Sequence, residues 1–124
     1  PLRAFLYDSG DDPPYTSVCC AMFSSLAQQA GATNIFHDVA GQWKAVNWED
    51  VITRDPEVIV LTDAVWSTAQ EKLDLLLNTP AYSSITAVKN QHFVVLKFSS
   101  LVPGIRNPDA VRTLAEGFYP DRFE

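Results

Sequence analysis

Two hydrophobic rhythms alternate along this chain. Short, nearly unbroken apolar runs stand at 2–7 (LRAFLY), 58–61 (VIVL) and 92–98 (HFVVLKF), and between them apolar residues recur at helical spacing. An apolar run without alternation reads as a strand covered on both faces, and a three-to-four spacing reads as one face of a helix. After the first run, Asp8-Ser9-Gly10-Asp11-Asp12-Pro13-Pro14 is a loop. A helix follows the second proline, with Thr16 or Ser17 as its N-cap, Val18, Met22, Leu26 and Ala30 four apart with Phe23 beside them, and Gly31 at the C′ position. Asn34 to Asp38 reads as a brief second strand.

The next helix has several start signals together: Asn47 as cap, Asp50 at N3, and Val46 placed to staple Val51. It must stop near Arg54, because Asp55 precedes Pro56. Ser67-Thr68-Ala69-Gln70 has the capping-box form and opens a helix carrying Leu73, Leu76 and Leu77. Thr79-Pro80 starts a short helical turn through Tyr82 and Ile85, and Lys89-Asn90-Gln91 turns into the last strand. A loop from Ser99 to Arg106 leads to Asn107-Pro108, a cap with proline at N1, and a final helix burying Val111, Leu114, Ala115 and Phe118. This alternation predicts an α/β fold, a three-layer sandwich with a mostly parallel central sheet of about four or five strands flanked by helices, as one domain over residues 1–124.

Composition narrows the partners. The 124 residues are 47% hydrophobic and 19% charged, ordinary globular usage. A formal charge of −6 opposes phosphate backbones and anionic lipid heads, which argues against nucleic acid and membrane-surface binding. No apolar run approaches the roughly 18 residues that span a bilayer, so direct membrane insertion by this segment is not expected. The start at Pro1, without an initiator Met or a signal-peptide core, leads to the expectation of a processed chain or a piece of a longer one. Cys19 and Cys20 are adjacent, so they cannot staple separate parts of the chain, and both are expected to pack as small apolar side chains. A metal site shared with His37 and His92 fits no ligand spacing.

In open α/β sheets ligands lie beyond the carboxyl ends of the strands. The loops to inspect are therefore 8–15, 39–44, 62–66 and 99–106, which hold Tyr15, Trp43, Trp66 and Arg106 besides Asp8, Asp11, Asp12 and Asp63. Three aromatics and one guanidinium suit a stacking surface with an anion-binding fork. An alternative is a Mg²⁺-dependent receiver-like or phosphoryl-transfer domain chelating the ion with Asp11, Asp12 and Asp63, although Pro13-Pro14 would hamper the helix N-terminus such a site uses. A flavin held between Trp43 and Trp66 is a third reading. No G-x-S-x-G, glycine-rich phosphate loop or strand-end histidine appears, so no catalytic constellation and no resident cofactor or metal is expected.

The ordered set Ala32-Thr33-Asn34-Ile35-Phe36-His37-Asp38, Trp43, Val46-Asn47-Trp48-Glu49-Asp50-Val51 and Arg54-Asp55-Pro56-Glu57-Val58-Ile59-Val60 resembles the C-terminal lobe of the helical-backbone (class III) substrate-binding proteins. Phe5 to Gly10, Ala87 to Asn90, Phe93 to Val95, Pro103-Gly104-x-Arg106 and Ala110 to Leu114 extend the likeness over nearly the whole chain. Those proteins serve ABC importers of ferric siderophores, haem and cobalamin. The resemblance implies a non-enzymatic ligand-binding lobe outside the cytoplasm, free or lipid-anchored in the full-length protein, whose N-terminal lobe and linking helix are absent here. The chain also departs from the family at Thr16-Ser17-Val18-Cys19-Cys20, where small glycines often approach the ligand. Carried over by position, Trp43 and Trp66 become stacking walls, Tyr15 a hydrogen-bond donor, Arg106 a partner for siderophore or propionate oxygens, and Glu49 the carboxylate that docks on the membrane permease. The ligand so implied is a ferric siderophore or other metal chelate.

Overall fold

The computed structural model describes residues 2–65, 67–97 and 108–120. Its elements are β1 (Leu2–Tyr7), β2 (Tyr15–Ser17), α1 (Met22–Gln29), β3 (Ala32–Asn34), β4 (Trp43–Ala45), α2 (Trp48–Arg54), β5 (Val58–Asp63), α3 (Ala69–Asn78), a 3-10 turn (Pro80–Tyr82), α4 (Thr86–Lys89), β6 (Phe93–Lys97) and α5 (Pro108–Phe118). Four strands form one sheet in the order β3-β1-β5-β6, and every pairing in it is parallel. The expected α/β three-layer sandwich is therefore present.

The layers follow from the pleat, since successive side chains on a strand face opposite ways. Ala4, Leu6, Val58, Val60, Val94 and Leu96 point to a layer made by α1 and α5, where Phe23, Leu26, Leu114 and Phe118 are buried. Phe5, Tyr7, Ile59 and Leu61 point to the opposite layer with Val51 of α2, Leu76 of α3 and Val88 of α4. The first layer is tight enough to require a glycine. A Cβ at Gly117 would overlap the Val94 methyls. Overpacking of this kind costs about 1–3 kcal/mol and exceeds the 0.5–1 kcal/mol that alanine gains inside a helix. Gly117→Ala is expected to lose about 1–2 kcal/mol net, read as a lower urea midpoint at constant slope; an unchanged midpoint would mean that α5 rides higher on the sheet.

Several local expectations need correction. Thr16 and Ser17 do not cap α1; they pair with Lys44 and Trp43 in an antiparallel two-stranded ribbon, β2–β4, that the sequence did not announce. The backbone N–H groups such a cap would satisfy, those of Val18, Cys19 and Cys20, donate instead to the carbonyls of Gln42, Val39 and Gly41, and α1 starts only at Met22, behind Ala21 without a side-chain cap. Val18 is consequently buried in the opposite layer from Met22 and Leu26. The second strand is Ala32–Asn34 rather than 34–38, because its register on β1 runs Leu2↔Ala32 to Ala4↔Asn34. The cap of α3 is Thr68, whose Oγ1 accepts from Glu71 N at 3.2 Å, one position later than the Ser67 frame. Leu77 is exposed, while Leu76 is buried. Cys19 and Cys20 do not pack as apolar plugs: they are disulfide-bonded to each other, with Cys20 exposed. Asn47 caps α2 through Asp50 N at 2.7 Å, and α2 ends at Arg54, both as expected. The cap at Asn107 and the strand end at Phe98 lie outside the described residues.

Candidate functional site at the carboxyl edge of the sheet

The chain leaves β1 toward β3 on one side, while β5 leads to β6 on the other, so β1 and β5 flank the point where strand order reverses. In open parallel sheets this is the place where ligands bind. The two strand ends are tied together by Thr62, whose Oγ1 donates to the Asp8 carbonyl at 2.9 Å. Beyond β1 the loop folds back on itself. Tyr7 Oη donates to the Gly10 carbonyl at 2.6 Å, and burial pushes the Tyr7 hydroxyl well above the usual tyrosine range. Gly10 has φ +76°, and a Cβ there would stand 2.8 Å from the Pro13 carbonyl oxygen, so only glycine fits. Asp8 N donates to Tyr15 O at 2.9 Å and Tyr15 N to Ser9 O at 2.8 Å, which brings β2 back beside the end of β1.

On the β2–β4 ribbon Tyr15 faces Ala45 and Ser17 faces Trp43, so Tyr15 and Trp43 are diagonal neighbours on one face. Their rings stack, with centroids 6.1 Å apart and planes 8° from parallel. Tyr15 is 38% exposed, and Trp43 is half-buried against the α1–α5 layer. The ribbon is laced from behind: Val18 N donates to Gln42 O at 2.7 Å, Cys19 N to Val39 O at 3.1 Å and Cys20 N to Gly41 O at 3.1 Å. Asn34, 2% exposed, closes the assembly. Its Nδ2 donates to Ser17 O and to Ser24 Oγ, and its Oδ1 accepts from Phe36 N, each at 3.0 Å. A polar cavity of about 460 Å³ opens beside the disulfide, bordered by Ser24, Gln28, Asn34 and His37; it includes neither Tyr15 nor Trp43.

Of the four ligand residues expected from sequence, Tyr15 and Trp43 are brought together, and Trp66 and Arg106 lie outside the described residues. Glu49 is exposed at N2 of α2 beside the exposed Asp50, while Trp48 between Asn47 and Glu49 is buried. The Mg²⁺ alternative fails on geometry. Among the described residues no group of three or more His, Cys, Asp or Glu is placed to hold a metal ion. Asp63 is instead occupied at the start of α3, its Oδ1 accepting from Ala69 N at 3.1 Å, and the Asp11 carbonyl accepts from Trp48 Nε1 at 2.7 Å. A Cys–His metal site fails likewise: the two sulfurs bond each other, and His92 Nε2 lies 2.7 Å from Gly117 O.

One buried charge escaped the sequence reading. Lys72 is 3% exposed, and its ammonium donates to Thr62 O at 2.8 Å and Ser67 O at 2.9 Å. Burial holds its pKa below the ordinary lysine value, opposed by the charges of Asp8, Asp63 and Glu71. The signal was present, since Ala69, Lys72 and Leu76 share the i, i+3, i+7 stripe that faces the core.

This arrangement places an aromatic face on the ribbon that follows β1. The chain is 33% identical over 82 residues to a vitamin B12-binding protein of Pectobacterium atrosepticum, covering 66% of this chain and 26% of that one. It is 33% identical over 122 residues to an uncharacterized ABC transporter substrate-binding lipoprotein of Bacillus subtilis, covering 97% of this chain and 36% of that one. The crystal structure of an ABC-type Fe³⁺-hydroxamate transport system from Saccharomonospora viridis superposes with a TM-score of 0.81 at 26% identity, over 94% of this chain and 41% of that one. The chain thus spans well under half the length of these relatives. The periplasmic binding protein family model matches residues 6–99, and this chain belongs to the periplasmic binding protein family.

Proposed function

We propose that this chain is the C-terminal lobe of the extracytoplasmic solute-binding component of an ABC importer, and that its cargo is a metal chelate, a ferric siderophore in the first place. The observation that carries the reading is the Tyr15–Trp43 stack at the switch point of a parallel sheet, in a chain of this family. A flat pair of rings offers dispersion and π contact to a large, partly planar guest without charge specificity. Trp66 would add a second wall and Arg106 a charge-assisted fork for hydroxamate, carboxylate or propionate oxygens. A disulfide between Cys19 and Cys20 suits an oxidising compartment outside the cytoplasm. No described helix is long and apolar enough to cross a membrane, so contact with the permease would be made by surface groups, Glu49 first among them.

A guest of this size normally loses most of its exposed surface on binding, and one lobe covers half of it. The full-length protein is therefore the species to test. Titrating it with ferric hydroxamate, haem and cobalamin, followed by tryptophan quenching, is expected to give saturable binding of the ferric hydroxamate, with the isolated 124 residues binding far more weakly. Trp43→Ala is expected to raise the Kd about tenfold, the size of a lost aromatic contact. Glu49→Ala is expected to leave the Kd unchanged and to slow uptake through the permease. Absence of binding by all three chelates would end the cargo reading. Unchanged uptake would leave Glu49 with its dipole role at the start of α2 alone.

A further inference from the structure

We propose that Cys19–Cys20 is a thiol–disulfide exchange site: a dithiol reductant opens the ring between the two sulfurs and so frees the 39–42 segment that leads into Trp43. The inference goes beyond the cargo reading and stands independently of it.

A disulfide that holds a fold together closes a loop of chain, and its contribution grows with the length of that loop. One between sequence neighbours closes no such loop. What it fixes is the backbone at residues 19 and 20, and that backbone carries the anchor of the ribbon. Val18 N, Cys19 N and Cys20 N donate to Gln42 O, Val39 O and Gly41 O, at 2.7, 3.1 and 3.1 Å. Successive N–H groups of an extended strand point to opposite sides. These three converge instead on one segment, the one that enters β4 at Trp43. Opening the ring returns torsional freedom to the two residues that hold this convergence.

The pair is also placed to react. Cys20 is exposed, and both cysteines border the polar cavity of about 460 Å³. None of the described residues lining that cavity is Asp or Glu, so an attacking thiolate meets no like charge at its wall, in a chain of net charge −6. α1 starts two residues after Cys20, without a side-chain cap or an acidic residue in its first turn, and a helix N-terminus of this kind favours a nearby thiolate. In the first step a thiolate of the reductant bonds to Cys20 Sγ, the S–S bond breaks, and its electron pair leaves on Cys19 Sγ, which lies 3.4 Å from Gly41 O. The reductant's second thiolate then attacks the reductant sulfur of the mixed disulfide and expels Cys20 Sγ. The cysteine pair has gained two electrons and takes up two protons, and the dithiol has become a cyclic disulfide.

The test uses the full-length protein, folded and without chelate. The tryptic peptide 4–44 contains both cysteines of this chain, so alkylation of the pair is read from that peptide alone. Before reduction it is expected to remain unlabelled by iodoacetamide, and after incubation with dithiothreitol, in the absence of denaturant, to carry the label on both cysteines. Labelling without reductant, or resistance to the dithiol until denaturant is added, overturns the proposal. In the reduced protein the amides of Val18, Cys19 and Cys20 are expected to exchange with deuterium about tenfold faster, the weight of one residue's backbone freedom. The amides of Val60 and Leu61 in β5 are expected to keep their rates. Unchanged exchange at residues 18–20 after reduction overturns the proposal, and so does equal acceleration in β5, which would make the disulfide a general support of the fold. The double variant Cys19→Ser, Cys20→Ser is expected to exchange like the reduced protein with no reductant present; a folded variant that exchanges like the oxidised protein overturns the proposal as well.

Discussion

Trp48→Ala is expected to destabilise the protein by about 3–5 kcal/mol, the range for removing a large aromatic from a packed core. The indole is 5% exposed and lies at the junction of three aromatic partners. It stacks on Tyr82 with centroids 4.3 Å apart, meets Tyr7 edge-on at 5.2 Å and 90°, and meets Phe5 at 6.0 Å. Its Nε1 also donates to the Asp11 carbonyl at 2.7 Å, tying the loop after β1 to α2. Truncation opens a cavity between rings that cannot collapse onto one another and strands that carbonyl. Against a typical total of about 5–15 kcal/mol, the loss leaves a marginal fold. Chemical denaturation followed by circular dichroism measures it. Trp48→Phe, which keeps a ring but not the donor, should retain more than half of the lost stability; a loss below about 1 kcal/mol in Trp48→Ala would mean that the neighbours repack around the gap.

Asn34→Ala is expected to cost about 3 kcal/mol, although it deletes only a small polar group. The amide joins β2, α1 and the segment after β3, through Ser17 O, Ser24 Oγ and Phe36 N. Removing one partner of a buried hydrogen bond leaves the other to bear the desolvation cost. Thr16 Oγ1 also donates to Ser17 O, but at 3.4 Å, too long a hydrogen bond to take over. The effect should extend to function, since Ser17 pairs with Trp43. Asn34→Asp separates the contributions. It keeps the acceptor for Phe36 N but sets an oxygen against Ser17 O, so it should be no more stable than the alanine variant at neutral pH. Urea midpoints for the pair decide this, and an aspartate variant as stable as wild type would remove the donor half of the argument.

How far the sequence carried is visible in particular residues. The central strand was legible because Val58 to Leu61 is apolar on both faces, and only a parallel sheet covered by two layers accommodates that. α2 was legible to the residue because Asn47 and Pro56 act locally, one through a side-chain bond and the other through a steric clash. The β2–β4 ribbon was not legible. Three-residue strands contain too few positions to express a period, and Thr16-Ser17 is as apt for a ladder as for a cap until Trp43 and Lys44 arrive from more than twenty residues away. Tyr15 and Trp43 were therefore chosen singly, as aromatics in strand-end loops, and their stacking was beyond reach. The cysteine pair was misjudged because the argument about cross-linking distant segments does not apply to a ring closed between neighbours. Lys72 was overlooked because its charge was given more weight than its place on the helical stripe.

The unequal depth of two indoles has a practical outcome. Trp48 sits in a sealed ring of aromatics, whereas Trp43 lies on an open ribbon. A water-borne collisional quencher such as iodide reaches the second and not the first, so red-edge emission reports the ribbon and blue-edge emission the interior. With Trp66 replaced by phenylalanine, detachment of the ribbon and melting of the core become separately readable optical signals from one unlabelled sample.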